Sequence, residues 1–258
     1  MCLLNNHLIK NLKILQMQER YLGDIHDFVK FFFIKFLSFN LKKMVGLNWY
    51  LINTDSLGPK EYLLKDGEHR RFLKNEYFKS LDPMIFNELY LLKEKRNRKI
   101  KIFERNSHLK NYIKFFSKEI QLNNRDWWFE SSLSYFKDLD IIFLDADNGL
   151  IAQSIDDKSK KSIKYIKTKE LLELFNSGKT IIFTQFQSYS KKHTLMLEQK
   201  IKQIKKEVNL EVNCPILRNR SAPNTFYISI VQKQHQKTMK YLVSEFSKTN
   251  NWTELIKV

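Results

Sequence analysis

Two uninterrupted apolar runs constrain this chain most. They are Ile141-Ile142-Phe143-Leu144, closed by Asp145, and Thr180-Ile181-Ile182-Phe183-Thr184. Neither alternates apolar with polar residues, so each must be a strand covered on both faces. Helical spacing lies between and around them, and strands that alternate with helices predict an α/β fold with a mostly parallel sheet. The spacing predicts helices over residues 8–20, from Asp24 to about 38, from Asp82-Pro83 into the basic run at 93–99, and over 107–118, 125–136, 168–176, 191–207 and 232–246. Asp24 and Asp82 are expected caps, and Gly178 a left-handed helix end. The second helix is apolar nearly all round and is expected to be buried. Strands are predicted over 46–52, 100–104, 140–145, 180–184, 210–217 and 225–231, with a long loop at 53–71. The last two strands have no helix between them and are expected to pair as an antiparallel hairpin at the sheet edge. Residues 1–45 form an N-terminal helical segment expected to pack on the sheet, and 46–258 form the α/β domain.

Composition narrows the function classes. Cys2 and Cys214 are isolated in a chain of 258 residues, so no structural zinc site is expected and the usage fits a reducing cytoplasm. The most apolar segment, 28–39, contains Lys30 and Lys35 and is too short to cross a bilayer. The N-terminal residues lack the basic and apolar blocks of a signal peptide. Forty-five Lys and Arg against 28 Asp and Glu give a formal charge of +17. That charge fits a nucleic-acid partner, RNA ahead of DNA; the plainer reading is a lysine-rich composition that has drifted with an AT-biased genome.

Three constellations carry possible chemistry. In Asp145-Ala146-Asp147-Asn148-Gly149, an apolar strand delivers two carboxylates and an amide to the carboxyl edge of the sheet, where open α/β sheets bind ligands. The plainer reading is a polar turn that ends a strand. In Gly23-Asp24-Ile25-His26-Asp27-Phe28-Val29-Lys30, Asp24, Asp27 and Lys30 share one helix face. The plainer reading there is a cap and a solvated ion pair. Glu104, expected at a strand end, is placed to accept from ribose hydroxyls, or is a surface carboxylate. The polar stretch Asn53-Thr54-Asp55 would face the same crevice.

Together these residues resemble the RlmJ-type rRNA adenine-N6 methyltransferase family, which depends on S-adenosylmethionine. The family's Gly-Asn-x-x-Asp-x-x-Lys helix is matched by Gly23, Asp24, Asp27 and Lys30, with Asp24 in place of Asn. Its ribose-holding acid is matched by Glu104, and an acid near the adenine loosely by Asp126. Asp145, Ala146, Asp147 and Asn148 stand where its Asp-Pro-Pro-Tyr catalytic turn falls. Its glycine-rich turn is replaced by Asn53-Thr54-Asp55-Ser56-Leu57-Gly58. The resemblance implies a seven-stranded Rossmann-like sheet. It also implies S-adenosylmethionine held by Gly23, Asp24, Asp27, Lys30, Asn53, Glu104 and Asp126, and catalysis on a base amine by Asp145, Asp147 and Asn148. The catalytic turn lacks its aromatic, and Phe186 or Tyr189 would substitute. The helix and turn also resemble bacterial proteins with an Asp-Pro-Asp-Asn-Gly turn, from which no activity follows.

Two other classes compete. Asp145-x-Asp147 with Thr184 resembles the first two motifs of haloacid-dehalogenase-like phosphohydrolases, and a metal-dependent nuclease would use Asp145, Asp147 and Glu104 with a lysine near the acids. Magnesium needs convergent carboxylates, and no Asp follows Asp157. A non-catalytic nucleic-acid-binding relative of the methyltransferase fold would rely on the basic stretches 93–101 and 158–164 and on Trp127-Trp128.

Overall fold

The computed structural model describes residues 17–52, 69–187 and 192–256. The apolar runs form strands β3 (Ile141–Leu144) and β4 (Thr180–Phe186) at the centre of a seven-stranded sheet. With β1 (Val45–Asn48), β2 (Ile113–Phe116), β5 (Ile216–Asn219), β6 (Thr225–Ile230) and β7 (Thr253–Ile256), the order is β2-β1-β3-β4-β6-β5-β7. The pairs β1–β2, β1–β3 and β3–β4 are parallel; β4–β6, β5–β6 and β5–β7 are antiparallel. The sheet is therefore mixed rather than mostly parallel by pairing. Because β6 opposes both β4 and β5, β5 runs in the common direction of β1–β4. After β2 the chain returns to the other side of β1, so strand order reverses between β1 and β3.

Helices α1 (Met17–Tyr21), α2 (Ile25–Leu41), α3 (Glu76–Leu81), α4 (Pro83–Leu91), α5 (Ile100–Asn106), α6 (Arg125–Tyr135), α7 (Thr168–Asn176), α8 (His193–Val208) and α9 (Gln236–Lys248) accompany the sheet. Successive strand side chains point to opposite faces. Ile141 and Phe143 join a core with α2, α4, α5 and α9, while Ile142 and Leu144 join a second core with α6, α7 and α8. The apolar α2 is buried as its composition requires: Phe28, Phe31, Phe33, Ile34 and Leu37 are all enclosed. Asp24 and Asp82 cap α2 and α4 as expected, and Gly178 follows α7 with φ +78°.

Several expectations are corrected. Residues 100–104 form helix α5 rather than a strand, because Ile100 and Phe103, three apart, are the residues the core buries while Ile102 is left half exposed. Residues 107–118 are not a helix. A 3-10 turn, His108–Asn111, leads into β2, which is the sheet's edge strand. The hairpin β5–β6 forms, but it is not at the edge, because β7 pairs with β5 outside it. The strand expected over 210–217 forms only from Ile216 and extends to Asn219 as β5, and residues 76–81, given no element by the spacing, form α3. Helix α4 stops at Leu91, before the basic run, because Arg98 turns back to donate to the carbonyls of Leu92, Lys93 and Arg20. Most of the expected helix over 8–20 lies outside the described residues.

Candidate functional site

The site is built on the first turn of α2. Asp24 Oδ1 accepts from the backbone N–H of His26 (2.9 Å) and Asp27 (3.2 Å), where the helix N-terminus favours a carboxylate. Gly23, at φ +84°, donates its N–H to Asp27 Oδ2 at 2.6 Å. One turn later, Lys30 Nζ donates to Asp27 Oδ1 (2.6 Å) and Asp145 Oδ2 (2.5 Å). The Thr184 hydroxyl donates to Asp145 Oδ1 at 3.1 Å. These bonds tie α2 to the carboxyl end of β3 and to Thr184 within β4, beside the reversal of strand order. The Lys30 ammonium also sits 4.5 Å from the ring centre of Trp49, which directly follows β1. Trp49 Nε1 donates to Glu104 Oε1 (2.8 Å), and Ser117, at the end of β2, donates to Glu104 Oε2 (3.0 Å).

Two carboxylates, Asp27 and Asp145, pair with one ammonium beside the Asp24 carboxyl, in a setting with little water. Burial and the neighbouring Asp27 push the Asp24 carboxyl up to about 8. Burial also raises Asp145 against the pull of Lys30, and raises Glu104 against its hydrogen bonds from Ser117 and Trp49. Burial alone would discharge Lys30, but Asp145 and Asp27 outweigh it and hold the ammonium above its ordinary range. His26 is lowered to about 4 by burial and by His69. Its Nδ1 shares a 2.8 Å bond with Thr225 Oγ1, while among the described residues the buried Nε2 has no hydrogen-bond partner. With Lys30 already doubly paired, the cluster has carboxylate to spare and suits a cationic ligand.

Of the residues singled out from the sequence, the fold joins Gly23, Asp24, Asp27, Lys30 and Asp145 directly, and Glu104 through Trp49. Glu104 reaches this edge from helix α5 rather than from a strand end. Asp147 and Asn148 lie half-buried in the turn after β3, which folds back on β4. There Gln185 accepts from Leu150 N (3.0 Å) and donates to the Asn148 carbonyl (3.3 Å). Gly149, at φ +73°, is required in this turn, because a Cβ there would lie 2.7 Å from the Thr184 carbonyl. Asp126 is not part of the group: it is on α6, on the opposite face from α2, exposed and paired with Lys169 at 2.7 Å. Asn53 and Tyr189 lie outside the described residues. Phe186 packs 5.7 Å from the His26 ring. Sequence reasoning missed Trp49 and Ser117, although each is the first residue past a strand. Arg98, counted among phosphate-contacting residues, is instead buried on backbone carbonyls.

Among the described residues no three His, Cys, Asp or Glu side chains are grouped to hold a metal ion, and no helix is long and apolar enough to cross a membrane. No protein-family model matches the chain, and no curated protein or solved structure is significantly similar to it.

Proposed function

We propose that the protein is an S-adenosylmethionine-dependent methyltransferase-like enzyme of Rossmann-like architecture that acts on a nucleic-acid amine. The observation that carries this reading is the convergence of Asp145, Lys30 and Trp49 at the carboxyl edge where strand order reverses between β1 and β3, the place where open α/β sheets bind ligands. The reversed strand β6, set between β4 and β5, accords with the hairpin expected of such a sheet.

The residues present fit the cofactor in part. Spare carboxylate suits its cationic sulfonium and ammonium groups, and Glu104 is placed to accept from ribose hydroxyls. Lys30 is enclosed by Asp27 and Asp145, so it orients Asp145 rather than meeting the cofactor's carboxylate. Bound S-adenosylmethionine would supply a methyl group on cationic sulfur. Asp145 retains lone pairs beyond its bonds to Lys30 and Thr184, and accepts from the substrate N–H to aim the nitrogen. The chain's contribution is thus mainly positioning and exclusion of water. The phosphohydrolase reading is favoured by the Thr184–Asp145 bond, but among the described residues no group of three acids converges as magnesium requires.

The test is transfer of a labelled methyl group from S-adenosylmethionine to total RNA or to DNA. Transfer by the wild type, with a loss of about a hundredfold or more in Asp145→Asn, is expected. Transfer unaffected by Asp145→Asn would overturn the assignment of Asp145.

A further inference from the structure

Away from the Lys30 cluster, a cavity of about 370 Å³ is lined by Asn75, Tyr77, Arg220, Asn251 and Trp252. That volume is within the range of small-molecule sites, roughly 300–1,000 Å³. It opens on the same edge of the sheet. Arg220 directly follows β5, which runs with β1–β4, and Trp252 directly precedes β7, whose Thr253 pairs with Asn219.

The free valences of this cavity are specific. Trp252 already donates its indole N–H to Ser221 Oγ at 2.7 Å, so it offers the cavity ring surface. Tyr77 Oη accepts from Asn251 N at 2.6 Å, which leaves the phenolic proton to donate. Asn75 Oδ1 is taken by Tyr77 N at 3.0 Å, which leaves its amide N–H groups. Arg218, two residues earlier, is neutralised by Glu254, whereas among the described residues the Arg220 guanidinium faces no carboxylate. Donors and positive charge therefore predominate beside two aromatic rings. An anion that carries a flat ring satisfies all of this: phosphate on the guanidinium fork, base against the indole, base edge on the side-chain amides.

We infer that this cavity binds one nucleotide unit, with Arg220 on its phosphate and Trp252 against its base. The inference rests on the nucleic-acid reading above and gives the substrate a place on the same sheet edge as the proposed methyl-transfer centre. A bonded path links the two: Ser221 Oγ donates to Asn219 Oδ1 (2.8 Å), and Asn219 Nδ2 lies 3.4 Å from His26 Nδ1, within the first turn of α2.

The experiment is calorimetric titration of wild type and Arg220→Gln with adenosine 5′-monophosphate, adenosine and inorganic phosphate. The expected result is that the monophosphate binds wild type more tightly than either fragment. Arg220→Gln should weaken it by about ten- to a hundredfold, the worth of a charge-assisted hydrogen bond. Trp252→Phe, which keeps an aromatic ring, should weaken adenosine binding less than Trp252→Leu does. Absence of monophosphate binding by folded wild type, equal binding by Arg220→Gln, or phosphate binding as tight as the monophosphate would each overturn the inference. Arg220→Gln should leave S-adenosylmethionine binding unchanged. Failure of that cofactor to bind while the monophosphate still binds through Arg220 would remove the methyltransferase reading and keep the cavity.

Discussion

Replacing Lys30 by Met removes the ammonium that separates Asp27 from Asp145 and leaves two carboxylates facing each other. The three side chains are 5%, 10% and 17% exposed, so water does little to screen them. Deleting one partner of a buried ion pair costs about 3–5 kcal/mol, against at most about 1 kcal/mol for an exposed pair. Lys30→Met is expected to lose the larger amount in urea denaturation near neutral pH. The loss has a definite pH dependence. Without Lys30 the folded-state pKa of Asp145, already raised, rises further above its unfolded value. Between those two values the folded protein holds a proton that the unfolded chain releases, so stability falls as pH rises, by at most about 1.4 kcal/mol per unit. The deficit of Lys30→Met should therefore be larger at about pH 8 than at about pH 5. Adding Asp145→Asn to Lys30→Met removes one of the two facing carboxylates, and the double variant should be more stable than the two single losses add up to. A loss below about 1 kcal/mol, or one independent of pH, would refute the claim that this cluster is a desolvated unit.

Asp24, pushed up to about 8, contributes a decline in stability as pH rises from its unfolded value near 4 toward 8; Asp24→Asn keeps the cap and should flatten that decline, most visibly between about pH 6.5 and 8, where His26 no longer titrates. Gly149→Ala combines a positive φ with a Cβ too close to the Thr184 carbonyl and should cost about 1–3 kcal/mol by denaturant unfolding. Arg125→Met should cost about 3–5 kcal/mol in the same assay, because it strands buried Glu170, whose oxygens lie 2.7 and 3.0 Å from the guanidinium. Asp126→Ala, next to it in sequence, breaks only an exposed pair and should cost less than about 1 kcal/mol and leave ligand binding unchanged.

The central strands were legible because Ile141–Leu144 and Ile181–Phe183 admit no solvated face. The caps Asp24 and Asp82 were legible because capping is decided by a few adjacent backbone N–H groups. Residues 100–118 were not. Ile100-Lys101-Ile102-Phe103 alternates like a strand, yet the core takes Ile100 and Phe103 on a helical spacing and leaves Ile102 outside. Edge strand β2 carries half-buried Lys114 and Phe115, and so lacked the apolar run that betrays a central strand. In the site, the three-residue steps from Asp24 to Asp27 to Lys30 were visible locally, and the strand before Asp145 gave its edge position. Trp49 and Ser117 join the cluster only through folding, across 55 and 13 residues from Glu104. Asp126 illustrates the converse: a position suggested by resemblance was placed by α6 on the other face.

The central claim is that the carboxyl edge at the β1–β3 reversal receives S-adenosylmethionine. Calorimetric titration of the wild type with S-adenosylmethionine and its demethylated product tests it most directly. Dissociation constants in the micromolar range, weakened about tenfold or more by Glu104→Gln, are the predicted result. Folded wild-type protein that takes up neither compound would contradict it.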